Sequence, residues 1–327
     1  MTHSLFRDVL AFAGRNGPLM LFAGVLTGLV APSLADAARP FLGLAVFVFT
    51  LGAFLKVDWV SFQRETQRRL WIAGVLAWTT FGVPLVMLGL IRLLQPEAGL
   101  AQGMMLCMLA PPVGSAAAIA AMLGLSAPLS LLATVTATIL SPLYLPPLAS
   151  WLIGYDLHID PLAMTGRLLL IVGGACVCAT LLRRYAGRFV AENPHAMTGI
   201  AVLGLILVAI GAMRGMQSYF LEHPAEVARY LGLAFLVNFG FQVLGAMLFI
   251  RSGRLRALTV GLVSGNRNVT LAWAAAGSSL AGYPQVELYL AMSVFPIFML
   301  PALTRWPVTR MLRLKVPAVL TGPAAAS

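Results

Sequence analysis

Apolar runs about twenty residues long recur from one end of this chain to the other, and they constrain its fold more than any other feature. Twenty residues of α-helix span the hydrocarbon core of a bilayer, where backbone N–H and C=O groups must bond within their own segment. We read ten such runs, at residues 18–35, 38–55, 70–94, 98–123, 127–153, 161–182, 196–217, 226–250, 255–281 and 284–304. Only 10% of the 327 residues are charged and 60% are hydrophobic, against roughly 25% charged in soluble domains. The chain therefore reads as an all-α polytopic membrane protein with no room for a separate soluble domain. Residues 18–37 resemble a signal peptide ending in Ala35-Asp36-Ala37. We expect them to be retained as the first helix, because the topology below balances only if they are counted.

The net charge of +11 does not point to nucleic acid, since the basic residues sit in short loops between apolar spans. Sixteen of the 22 lysines and arginines fall on one side of the alternating topology: at the N-terminus, in 56–69, 183–195 and 251–256, and at the C-terminus. Five fall on the other side (Arg39, Arg92, Arg167, Arg214 and Arg229), and Arg267 lies inside a span. This asymmetry puts both termini in the cytoplasm and demands an even number of spans. We expect a bacterial inner membrane location. Residues 4–15 and 56–69 read as short amphipathic interfacial pieces. Membrane lipid is the expected surroundings; oligomeric state is not legible.

Ten spans divide into five plus five, residues 1–155 and 156–310, followed by a cytoplasmic tail at 311–327. Because five is odd, two such units in series lie inverted, a plan common in secondary transporters. The fourth span is interrupted by Pro111-Pro112-Val113-Gly114-Ser115 and the ninth by Ser264-Gly265-Asn266-Arg267-Asn268. Paired interruptions at matching positions are the strongest sequence pointer to a transporter's central site. Freed backbone groups at mid-membrane must be satisfied by protein or by a water-lined cavity, and there they can hold an ion or an anionic group.

Arg267 is the most informative candidate. All eleven acidic residues map to loops or span ends, so no carboxylate is expected beside it. It reads either as an anion-binding guanidinium or built-in cation, or as a structural arginine capping carbonyls freed by the breaks. Asn266, Asn268, Ser264 and Thr270 flank it, and Asn268 is also placed to cap the restarting helix. Ser130, Thr134 and Thr138 share one face of the fifth span, with Ser141 beyond, and could instead back-bond to their own helix. Asn238 and Gln242, four apart on the eighth span, read as substrate-facing amides or as interhelical glue. Gln102 and Ser115 are further polar positions. Cys107, Cys176 and Cys178 lie in apolar spans, and His3, His158, His195 and His223 in loops or near span ends. No metal site, cofactor or catalytic motif is expected.

The stretch Pro111–Pro147, PPVGSAAAIAAMLGLSAPLSLLATVTATILSPLYLPP, resembles the fourth and fifth spans of the bile acid:sodium symporter family. Residues 263–272, VSGNRNVTLA, resemble its ninth-span motif Glu-x-Gly-x-Gln-Asn-x-x-Leu-Ala. The resemblance implies a panel domain of spans one, two, six and seven, and a core domain holding the crossing helices. It also implies solute binding between them, alternating access, and two sodium ions near the crossing. This sequence departs from the family at that point. The family's Ser-Asn falls on Ala116-Ala117, its Glu on Val263 and its Gln on Arg267, while Gly265, Asn268, Leu271 and Ala272 match. Ser130 and Thr134 fall on sodium-site hydroxyls, but two hydroxyls without a carboxylate make a poor sodium site. We therefore expect a secondary transporter of a small organic anion, a carboxylate or bile-acid-like solute, with Arg267 in place of a sodium charge. Its alternatives are a sodium-coupled symporter of the same fold and a non-transporting sensor or scaffold.

Overall fold

The computed structural model describes residues 10, 12–13, 17–57, 69–153, 157, 159–280 and 282–312. The expected interfacial pieces at 4–15 and 56–69 and the tail at 311–327 lie largely outside them. The described elements are helical: α1 (Gly17–Val30), α2 (Pro32–Leu55), α3 (Arg69–Leu94), α4 (Ala98–Leu109), α5 (Ala116–Met122), α6 (Ala127–Ile153), α7 (Pro161–Glu192), α8 (Pro194–Ala212), α9 (Met216–Glu222), α10 (Pro224–Leu248), α11 (Arg254–Gly265), α12 (Val269–Ala276) and α13 (Pro284–Met311). Seven of them, α2, α3, α6, α7, α8, α10 and α13, are long and apolar enough to cross a membrane. The remaining expected spans correspond to the shorter α1 and to the broken pairs α4–α5 and α11–α12.

Proline sets many of the starts. Pro32, Pro161, Pro194, Pro224 and Pro284 occupy the first helical turn, where the missing N–H costs nothing and φ is already helical. Asp160 caps α7 by accepting from the amides of Leu162 (2.9 Å) and Ala163 (3.3 Å). Several boundaries differ from the sequence reading for the same local reasons. The first hairpin breaks at Ala31-Pro32 rather than at 36–37. Pro40 only tightens α2 into a 3₁₀ turn at Arg39–Phe41 before the α-helix resumes. The seventh span ends at Ala212, because Gly215 takes a positive φ of 71° and starts the separate α9. The 183–195 segment is helix as far as Glu192, with a kink at Ala186.

The helices pack in two groups. One is α1, α2, α7 and α8; the other is α3–α6 with α10, α11 and α13. In the first group α2 and α8 are pressed close together: a Cβ on Gly52 would overlap the backbone of Ala201. Small residues at such contacts let backbones approach in a medium where dispersion rather than the hydrophobic effect drives association. The segment α12 sits between the groups, touching α2 and α7 on one side and α4 on the other.

Candidate functional site: the crossing of two broken helices

The two interruptions meet. Ala110 leaves α4 in an extended conformation, and Asn266 leaves α11 likewise. Pro112 and Arg267 form an isolated antiparallel bridge. The amide of Val113 donates to the carbonyl of Asn266 (3.0 Å), and the amide of Asn268 donates to that of Pro111 (2.7 Å). Each break thus satisfies part of the other's backbone, as non-helical chain at membrane depth requires. Pro111 and Pro112 carry no N–H, so they add no buried donor to be satisfied.

Removing those donors leaves carbonyls without their helical partners, and Arg267 collects them. An α-helical bond to Met108 O would come from the amide of residue 112, which is proline. The guanidinium Nη2 of Arg267 donates to Met108 O instead, at 2.7 Å. In α3 the segment Trp78–Gly82 is a π-turn, so Thr79 O would be served by residue 84, again proline. The same Nη2 donates to Thr79 O at 2.6 Å. Nη1 reaches Val263 O, in the last turn of α11, at 3.5 Å. Nε is buried without a hydrogen-bond partner. Arg267 is 1% exposed, and the described residues provide it no ion pair.

The other candidates gather in separate places around this arginine. Asn238 Nδ2 donates to Asn266 Oδ1 (3.1 Å), and Gln242 Nε2 donates to Asn238 Oδ1 (2.7 Å) and more loosely to Asn266 Oδ1 (3.4 Å). These three amides form one buried network, in which Asn266 Nδ2 stays unpartnered. Asn268 Oδ1 accepts from the Leu271 amide (3.2 Å) and the Thr270 hydroxyl (2.9 Å), which makes it the N-cap of α12. Ser264 donates to Val260 O (2.7 Å) and accepts from Trp78 Nε1 (2.8 Å). Ser115, Ser130 and Thr134 have buried hydroxyls with no hydrogen-bond partner. Thr134 and Thr138 line a small gap with Gly114 and Asn268, while Ser141 back-bonds to Thr138 O (2.7 Å). Gln102 is buried on α4. Sequence reasoning missed Trp78, Thr79 and Met108. Pro84 and Pro112, standing where an amide donor is required, are the signals that could have found the last two.

A narrow cavity of about 20 Å³, room for one water, lies where the two helix groups face each other. Val25 of α1 and Leu205, Val208, Ala209 and Ala212 of α8 wall it on one side, with Met213 just beyond that helix. Arg267, Asn268 and Thr270 of the crossing contribute its polar edge. The rest of the wall is apolar.

A bundle of membrane-length helices built around two crossing breaks defines a multi-pass membrane protein of the carrier type. The chain belongs to the sodium bile acid symporter family, whose model matches residues 41–223; this is a family of transporters, not of enzymes. The matched stretch contains the first break, and the second lies beyond it. The chain is also similar to the uncharacterized sodium-dependent transporter YocS of Bacillus subtilis (strain 168), at 25% identity over 244 residues, which cover 72% of this chain and 74% of that one.

Proposed function

We propose that the protein is a secondary active transporter of a small organic anion. In this reading it works by alternating access at the crossing, and the guanidinium of Arg267 supplies the positive charge that sodium supplies elsewhere in the family. The observation that carries the proposal is the buried Arg267, with no ion pair among the described residues, at the junction of both breaks. An intramembrane charge costs roughly 2.5–3.5 kcal/mol even on the most lenient scale. Here three backbone carbonyls offset that cost, and the positive charge remains uncompensated at the edge of the cavity. An anion entering there neutralises it. The apolar walls favour a solute with a carboxylate at one end and hydrocarbon behind it. The same proposal holds two inverted five-helix repeats, both termini in the cytoplasm and a bacterial inner membrane, and it needs no cofactor.

A sodium-coupled cycle is the second reading. It is favoured by the unpartnered hydroxyls of Ser115, Ser130 and Thr134, which are oxygens a hard cation would use, and by the sodium in the descriptions of the family and the relative. Uptake of a carboxylate into proteoliposomes, with and without a sodium gradient, separates the two. Equal uptake is expected, and a steep sodium dependence sinks the arginine-for-sodium reading. Arg267→Gln with Val263→Glu restores the family's motif and is expected to make uptake depend on sodium. Arg267→Gln alone is expected to abolish anion binding in a thermal-shift assay. Binding of an anion without any uptake would point to a sensor or scaffold.

A further inference from the structure

Two arginines from the α1–α2–α7–α8 group reach across to the far end of the second crossing helix. Arg39, in the 3₁₀ turn of α2, pairs with Glu287 in the first turn of α13. Its guanidinium also lies 5.1 Å from the ring centre of Trp273 on α12. Trp273 Nε1 points to the same carboxylate oxygen, at 3.3 Å. Arg167 of α7 donates through Nη1 to the carbonyls of Ala276 (2.7 Å) and Ala275 (3.2 Å). Those are the last carbonyls of α12, which have no amide ahead of them in the helix. The chain can bring them to Arg167 because Gly277 turns away at φ +57°, and a Cβ there would lie 2.8 Å from the guanidinium carbon.

The position of these contacts gives them meaning. The eight residues of α12 rise about 12 Å from the crossing to this cluster, close to half the hydrocarbon thickness. The cluster stands at the end of α7 opposite Arg183, Arg184 and Arg188, away from the arginine-rich loops. It joins the two helix groups above the cavity lined by Arg267. Because α12 is tied through the crossing to α11 and to the break after α4, separation of the groups at this face with α12 kept on the crossing requires the Arg39–Glu287 pair, the arginine–tryptophan contact and the Arg167 bonds to break together.

We propose that Arg39, Arg167, Trp273 and Glu287 form a latch that holds this face of the cleft closed, and that its release admits solute to the crossing from that face. The latch is strong enough to hold and weak enough to open. The pair is partly shielded, its side chains being 18% and 17% exposed, so salt screens it less than a surface ion pair. Against that, Arg39 Nη1 is buried without a hydrogen-bond partner, a deficit that opening to water would relieve. The proposal rests on the alternating-access reading, but its test needs no substrate, so uptake assays report on that reading separately.

The test places one cysteine, Val25→Cys, on the cavity wall of a chain whose own three cysteines are changed to serine. A membrane-impermeant maleimide is then applied to sealed vesicles of either orientation. With the latch intact, labelling from the Arg39 face is expected to be slow. Arg39→Gln together with Arg167→Gln is expected to raise that rate roughly tenfold, the shift produced by about 1.4 kcal/mol on a two-state equilibrium. The exchanged pair Arg39→Glu with Glu287→Arg should return the rate toward the parent, which a merely misfolded variant would not do. Gly277→Ala, which crowds Arg167, should give an intermediate rise. An unchanged rate in the double glutamine variant overturns the latch, as does an exchanged pair that labels as fast as Arg39→Glu alone.

Discussion

At the first break, Pro111 and Pro112 end α4 without offering a single N–H, and the nearest hydroxyl, Ser115, has no hydrogen-bond partner. At the second break, Asn266, Arg267 and Asn268 project amides and a guanidinium that bond to the protein around them, with Asn266 Nδ2 and Arg267 Nε left unpartnered. The two segments cross at one point and exchange backbone bonds almost symmetrically, yet one is acceptor-rich and the other donor-rich. The difference teaches how a transporter fold can be braced from one side. Prolines create unserved carbonyls in α3 and α4, and a single arginine on the opposite break serves them. Where the two breaks cross, this chain carries a covalently attached cation, the guanidinium of Arg267.

Removing the donor should break this arrangement most severely. Arg267→Ala leaves the carbonyls of Thr79 and Met108 buried and unserved, and should cost about 2–5 kcal/mol, read as a large drop in the midpoint of thermal unfolding in detergent. Arg267→Lys keeps the charge but loses the fork that spans two carbonyls, so its loss should be smaller. If Ala and Lys variants melt like the parent, the bracing account fails.

Close packing behind the second break comes next. A Cβ on Gly265 would enter the space of Asn238 O and the Gln242 side chain, so Gly265→Ala should destabilise by about 1–3 kcal/mol through overpacking. Gly89, where a Cβ meets nothing within 4 Å, provides the comparison: Gly89→Ala should be neutral or slightly stabilising in the same melt.

The cap of α12 and the amide network should give the smallest effects. Asn268→Ala removes the N-cap and should cost about 1 kcal/mol. A double-mutant cycle over Asn266→Leu and Gln242→Leu should return a coupling near 0.6 kcal/mol, the usual size for interhelical polar contacts in membranes. A coupling of several kcal/mol would make the network a principal support of the second break rather than an accessory to Arg267.

Much of this was readable along the chain. The apolar runs located the helices, and Pro-Pro-Val-Gly-Ser and Ser-Gly-Asn-Arg-Asn located both breaks to within a residue or two. The four-residue spacing of Asn238 and Gln242 put them on one face, and the structure joins them to Asn266. The first helix ends before Pro32 rather than near residue 36, because Pro32, which lacks an N–H, sets the next helix start. Trp78 and Thr79 could not be selected by composition, since a tryptophan and a threonine in an apolar span are usually packing residues.

Helix, break and cap are local matters, decided by which residues lack an N–H, tolerate a positive φ or carry a capping oxygen within a turn or two. For that reason the sequence by itself determined a helical membrane protein interrupted at Pro111–Ser115 and Ser264–Asn268, with one arginine inside a span. Which unserved carbonyl that arginine would meet is not local. Thr79 lies 188 residues from Arg267 and Met108 lies 159 away, and only the packing of α3, α4 and α11 brings them within hydrogen-bond reach. The tertiary structure likewise decided that Arg39 and Arg167, two loop-side charges in the sequence, converge on the end of α12.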